Sequence, residues 1–159
     1  MKQNKKIVID YSEYGSLQEL PSEGRALMER AIGATATAYA PYSHFRVGAA
    51  VLLADGTVVT GSNQENVAYP SGLCAERTAL FSASAQHPGQ AVRALAVVGR
   101  DADGELVAAS PCGACRQVLA EYESRYGNEV EVYLYLKGGQ IRCLKGVKTL
   151  LPFAFEAEV

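Results

Sequence analysis

Ala91-Val92-Arg93-Ala94-Leu95-Ala96-Val97-Val98, taken with Ser110-Pro111-Cys112-Gly113-Ala114-Cys115-Arg116-Gln117-Val118-Leu119, sets the architecture. Residues 91–98 place apolar side chains on both alternating faces, the pattern of a strand buried on both sides. Pro111 is suited to open a helix, because its missing N–H is harmless in a first turn. Cys115, Val118, Leu119 and Tyr122 then fall on one helical face. Beyond it, residues 130–136 alternate as a strand, Gly138-Gly139 turns, residues 141–144 return, and residues 147–151 read as a last short helix.

On the N-terminal side, Pro21-Ser22-Glu23 marks a helix start with Ser22 as its cap, and Leu27, Ala31, Ala34 and Ala38 recur at helical spacing until Pro41. Residues 47–53 form a β-like run, Asp55-Gly56 signals a tight turn, and residues 57–60 return. A second helix is expected from about Cys74 through Phe81. The order helix, hairpin, helix, strand, helix, strand predicts a layered α/β domain around one mixed sheet. Residues 1–20 read as an N-terminal extension with a short edge strand over 6–10, and residues 21–159 as one domain.

Composition sets outer limits on function. A chain of 159 residues is long enough to bury roughly 70% of its unfolded surface. It needs neither disulfides nor a metal in order to fold, so a bound metal is free to serve chemistry. A formal charge of −2 implies neither a polyanion nor a membrane surface as partner, and Lys2, Lys5 and Lys6 read as a solvated tail. No targeting segment or apolar run of spanning length is visible, so the expected compartment is the cytoplasm, where thiols stay reduced. Four cysteines in that setting point to metal or redox chemistry rather than disulfide staples.

Cys112 and Cys115, three apart at a helix start, put both sulfurs on one face. Cys74, from the start of another helix, offers a third. Positive helix ends help to keep such sulfurs deprotonated. Three thiolates bind zinc and leave a fourth position for water. A redox pair, or a closed structural site completed by Cys143 or a histidine, are the competing readings. Glu76, two residues from Cys74, is the candidate proton carrier, against the plain alternative of an acid in a helix's first turn. Arg77 is either a surface charge or a cation that offsets the thiolates. His44 and His87 lack metal-pair spacing, and Cys143 reads as a buried strand residue. Asn63 and Glu65, two apart in an extended segment, point the same way but also suit a polar turn. Phe45 and Phe155 read as packing residues.

Cys74-Ala75-Glu76-Arg77-Thr78-Ala79 with Ser110-Pro111-Cys112-Gly113-Ala114-Cys115-Arg116-Gln117 resembles the small, three-cysteine zinc form of the cytidine/deoxycytidylate deaminase family. Ala40-Pro41-Tyr42-Ser43-His44-Phe45-Arg46-Val47-Gly48-Ala49-Ala50 is similar to that family's segment before its first hairpin. Gly61-Ser62-Asn63-Gln64-Glu65-Asn66 is similar to its ribose-binding segment, and Leu150-Leu151-Pro152-Phe153-Ala154-Phe155 to its C-terminal motif. The resemblance spans roughly residues 25–156. It implies a three-layer α/β/α sandwich and hydrolytic deamination of cytidine and 2′-deoxycytidine in pyrimidine salvage, with one Zn2+ per subunit. By the same resemblance, Cys74, Cys112 and Cys115 are the ligands and Glu76 the general acid/base. The Ala75 N–H binds the base carbonyl. Asn63 and Glu65 hold the sugar hydroxyls and Phe45 packs on the nucleoside. Phe155 covers the site of a neighbour in a homotetramer. No nucleic acid or membrane partner is implied. Tyr69-Pro70-Ser71-Gly72-Leu73 and a long 86–90 loop depart from the family pattern.

Overall fold

The structure, a computed structural model, describes residues 1–157; the last two positions assigned to the 21–159 domain lie outside the described residues. Seven strands form one sheet: β1 (Tyr11–Tyr14), β2 (Arg46–Leu53), β3 (Val58–Ser62), β4 (Val92–Arg100), β5 (Leu106–Val107), β6 (Glu131–Tyr135) and β7 (Ile141–Lys145). Among the described residues three α-helices accompany it: α1 (Ser22–Ala34), α2 (Ala75–Gln86) and α3 (Gly113–Tyr126). The strand order is β1-β7-β6-β4-β2-β3, with the short β5 hydrogen-bonded to the end of β4. Only β4 and β6 run parallel among the described pairs, so the sheet is mixed. A parallel pair requires a crossover, and α3 supplies it.

The alternation along β2 explains the layering. Ala49, Val51 and Leu53 face one side, where Ala79, Leu80 and Ala83 of α2 and Leu119 of α3 pack. Ala50 and Leu52 face the other, against Leu27, Met28 and Ala31 of α1. Both faces of the central strands are therefore dry, as expected of strands whose sequence is continuously apolar. The result is the three-layer α/β/α arrangement with a mixed sheet between its helices.

Two glycines set how closely the helices approach. A Cβ on Gly48 would lie 2.0 Å from the Ala31 carbonyl oxygen of α1, and one on Gly61 2.4 Å from the Ala79 nitrogen of α2. Backbone, not a movable side chain, fills the space in both cases. Gly61 thus fixes the depth of α2, the helix at whose start Cys74 and Glu76 sit.

Several boundaries differ from the sequence expectation, each for a local reason. The edge strand is β1 over 11–14, not 6–10. Its register on β7 is secured by a Glu13–Arg142 ion pair (2.6 Å), with the Arg142 guanidinium over the Tyr11 ring. Ser22 is the first helical residue and makes no capping bond; Pro21 occupies the cap. Helix α1 stops before Ala38, because the Thr35 and Thr37 hydroxyls bond back to the Ile32 and Ala34 carbonyls and a 3-10 turn follows. Helix α2 runs past Phe81 to Gln86 and ends where Pro88 forces His87 out of helical geometry. Pro111 stays outside α3, since Cys112 takes the extended cap conformation. The final segment is a single 3-10 turn, Val147–Thr149.

Gly61→Ala is expected to lower folding stability by about 1–3 kcal/mol through overpacking. A urea titration reads this directly, and an unchanged midpoint would mean that α2 can retreat without cost.

Candidate active site

Cys74 caps α2 and Cys112 caps α3, both in extended conformation, and Cys115 lies on the first turn of α3. Gly61 presses α2 onto the sheet, and the β4–α3–β6 crossover lays α3 on the same face. The two helix starts therefore converge. The sulfurs of Cys74 and Cys112 are 3.8 Å apart and those of Cys112 and Cys115 3.6 Å. Sulfurs at about 2.3 Å from a tetrahedral zinc lie about 3.8 Å from one another. The donor set and its spacing thus fit zinc, and Cys74, Cys112 and Cys115 are positioned to bind one metal ion. Among the described residues this is the one group of three or more metal-binding side chains, all donor atoms lying within 4.8 Å.

Position argues against a closed site, and the third sulfur argues against a redox pair. Cys143 lies on β7 against the α1 side of the sheet, in the other core cluster, and cannot complete the site. No histidine belongs to the group either. A simple redox pair leaves the third sulfur, Cys74, unexplained. Cys115 is buried, Cys74 half-buried and Cys112 exposed, so the cluster opens to one side. That side is a cleft of about 450 Å³ lined by Cys74, Ala75, Glu76, Cys112, Phe45 and Asn63, among others.

The electrostatics follow from helix ends and neighbours. The Cys115 thiol donates to Cys74, and this bond, with help from the Arg77 guanidinium, pulls the Cys74 thiol down to about 5. Cys115 is pushed well above the usual thiol range, first by that same bond and then by burial. Arg77 Nη2 lies 3.5 Å from the Cys74 sulfur, and the thiolate holds the guanidinium firmly protonated. Glu76 is 4% exposed. Burial raises its carboxyl above the usual carboxylate range, and the charge of Cys74 adds to the effect. A buried carboxyl at the floor of a cleft, beside a metal-binding cluster, is equipped to take up and release a proton.

The remaining expected residues fall into two places. Phe45, Asn63, Glu65 and Ala75 line the same cleft as Glu76. Phe45 leans on the flat backbone of Gly99, where an added Cβ would lie 2.8 Å from the ring. Asn63 holds the wall behind it: its Oδ1 accepts the Val47 N–H (2.7 Å) and its Nδ2 donates to the Phe45 carbonyl (2.9 Å). Ala75 is the first residue of α2, so its N–H has no intrahelical acceptor. Phe155 lies elsewhere. The residue is 82% exposed and does not line the cleft of its own chain. The Gln117 amide clips its backbone, donating to the Phe155 carbonyl (2.8 Å) and accepting the Phe155 N–H (3.1 Å).

Two contributors escape the sequence reading. Arg116 binds the Pro111 carbonyl (2.8 Å) and the Leu150 carbonyl (2.7 Å), tying the turn that carries Cys112 to the C-terminal segment. Ser43 contacts both Glu65 and Phe45. The available signal was adjacency: Arg116 follows Cys115 directly, and Ser43 sits two residues before Phe45.

Comparison with known proteins agrees with this geometry. The family model described as the cytidine and deoxycytidylate deaminase zinc-binding region matches residues 21–127. Cytidine deaminase of Halalkalibacterium halodurans is 47% identical over 132 residues, which cover 83% of this chain and 93% of that protein. Cytidine deaminase of Sporosarcina psychrophila is 48% identical over 121 residues, 76% of this chain and 82% of that one. Among solved structures, cytidine deaminase from Burkholderia pseudomallei matches with a TM-score of 0.70 at 46% identity, over 82% of this chain and 97% of that chain. The enzyme of the same name from Mycobacterium tuberculosis gives 0.65 at 38% identity, over 83% and 96%. With its three sulfurs, its buried glutamate and its α/β/α frame, the chain belongs to the cytidine and deoxycytidylate deaminase family.

Proposed function

We propose that this protein hydrolyses cytidine and 2′-deoxycytidine to uridine and 2′-deoxyuridine with release of ammonia, as a step of pyrimidine salvage in the cytoplasm. The observation that carries this reading is the three-sulfur cluster opening onto a cleft whose floor is the buried carboxyl of Glu76. Family membership supports the same chemistry.

Cys74, Cys112 and Cys115 hold one zinc ion per subunit. A zinc ion held by these sulfurs would acidify a water molecule toward neutral pH and so supply the nucleophile. Glu76 accepts a proton from the attacking water and delivers it to N3 of the base, which makes C4 more electrophilic. The water oxygen adds to C4, and Glu76 then moves the second proton from that oxygen to the exocyclic nitrogen, so that the C4–N bond breaks, ammonia leaves and the C4 carbonyl of the product remains. The raised carboxyl of Glu76 suits it to carry a proton near neutral pH. Arg77 draws electron density from Cys74, and so makes the bound cation a stronger acid.

Substrate is held by groups around that centre. The unpaired N–H of Ala75 binds the base carbonyl, and the Ser110 carbonyl receives the departing amine. Phe45 covers a face of the nucleoside. Asn63 and Glu65 meet the sugar hydroxyls, with one N–H and one lone pair of Asn63 still unused by the protein. Phe155, exposed and clipped through its backbone, reaches across a subunit boundary to a neighbour's site in a homotetramer. The near-neutral charge gives no basic track for a polynucleotide, so a free nucleoside is the expected substrate.

Ammonia release from zinc-loaded protein tests the reading, with cytidine, deoxycytidine, their monophosphates and single-stranded oligonucleotides as candidates. Nucleosides are expected to turn over and oligonucleotides not. Glu76→Gln should keep its zinc and lose about 10²–10⁴-fold in turnover; near-normal rates in that zinc-loaded variant would remove Glu76 from the mechanism. Cys112→Ala should lose both metal and activity, and full zinc occupancy there would mean a misassigned ligand. Light scattering should return a mass near four times the 17.0 kDa chain; a monomer active at full rate would contradict the shared site.

A further inference from the structure

The segment before β2 is a tight turn with an unusual closure. The His44 N–H donates to the Ala40 carbonyl (3.1 Å), and His44 takes a left-handed conformation at φ 55°. Histidine is among the residues that tolerate this region better than most. The closure leaves the N–H groups of Tyr42 and Ser43 pointing out of the turn. Both donate to Glu65 Oε2, at 2.9 Å and 3.2 Å. The Ser43 hydroxyl donates to the other oxygen, Glu65 Oε1. The same Oγ accepts the Phe45 N–H at 3.0 Å.

We propose that Ser43 is a positioning residue that locks the Glu65 carboxylate and the backbone carrying Phe45 into one preset unit for the sugar and the base, a role that rests on the nucleoside-deaminase reading above. Its hydroxyl donates to Glu65 on one wall of the cleft and accepts the Phe45 N–H from the other, with the Phe45 carbonyl a longer third contact at 3.4 Å. Glu65 lies 22 residues away in sequence, so no local backbone rule couples these walls.

Counting bonds shows what the lock leaves for substrate. A carboxylate offers about four acceptor directions. Tyr42, Ser43 N–H and Ser43 Oγ fill three, leaving one on Oε1. The Asn63 amide retains one donor and one acceptor after its bonds to Phe45 and Val47. The cleft therefore presents to a sugar one acceptor from Glu65 and a donor and acceptor from Asn63. A sugar hydroxyl that donates to Glu65 and accepts from Asn63, present in ribose and 2′-deoxyribose alike, satisfies part of that set. Groups already fixed in the unliganded protein lose little freedom on binding, so the gain appears as affinity. Ser43 touches neither the metal cluster nor Glu76, so it has no direct part in proton movement.

Ser43→Ala and Ser43→Thr, each as the zinc-loaded full chain, separate positioning from general stability. Loss of one bond to a charged group predicts that Ser43→Ala raises KM for cytidine about tenfold with kcat within about twofold and zinc content unchanged. Ser43→Thr, which keeps the hydroxyl, should return KM to within about threefold of the parent. An unchanged KM in Ser43→Ala, or a fall in kcat together with zinc, overturns the assignment. Should the parent protein release no ammonia from cytidine, the nucleoside reading fails on its own. Amide hydrogen exchange without substrate then decides the lock: about tenfold faster exchange at Tyr42 and Phe45 in Ser43→Ala sustains it, and equal rates refute it.

Discussion

Two helix starts brought within sulfur-to-sulfur contact are the constraint on which the rest of this molecule turns. Cys74 and Cys112 cap α2 and α3, where unpaired N–H groups and the helix dipoles favour negative charge. Bringing two such ends together is unfavourable without anions between them. The sulfurs supply negative charge there when a cation is bound between them. The sheet makes the convergence possible, because α2 and α3 share one face and a glycine in β3 lets α2 settle against the strand backbone.

The cleft inherits its chemistry from this arrangement. The first turn of α2 delivers a cap sulfur, a free N–H at Ala75, a buried carboxyl at Glu76 and a guanidinium at Arg77 in four consecutive residues. Each has a different environment because a helix turns its successive side chains by about 100°. Glu76 points into the dry interior edge of the cleft, and Arg77 returns to the sulfur of Cys74. The opposite wall comes from the turn before β2 and the extended segment after β3, two neighbours in the sheet. Adjacent strands thus present one side of the pocket and two helix starts present the other.

Much of this was legible from sequence because it depends on local rules. The buried run of β4, the Asp55-Gly56 turn between β2 and β3, and the helical spacing in α3 each follow from periodicity or turn chemistry. The sulfur cluster was legible because Cys-x-x-Cys spacing places two donors on one face whatever the tertiary context. What was missed is non-local. The edge strand falls at 11–14 because of partners on β7, 129 residues on from Glu13 in the case of Arg142. The end of α1 is set by threonine back-bonding that competes with a favourable apolar period. Ser43 and Arg116 act through hydrogen bonds to distant carbonyls and carboxylates, for which sequence carries no pattern beyond nearness to a motif.

Cys74 and Cys112 are separated by 38 positions, and α2 and α3 are otherwise joined by apolar packing and by the Tyr122 hydroxyl donating to the Leu80 carbonyl. An ion shared by their sulfurs closes that long stretch of chain into a ring. Ring closure removes disorder from the unfolded ensemble, much as a covalent bridge does. Reagent-grade metal availability then becomes a thermodynamic variable for the fold itself. Once the ion is in excess over its dissociation constant, every further tenfold rise adds about 1.4 kcal/mol to the folded state.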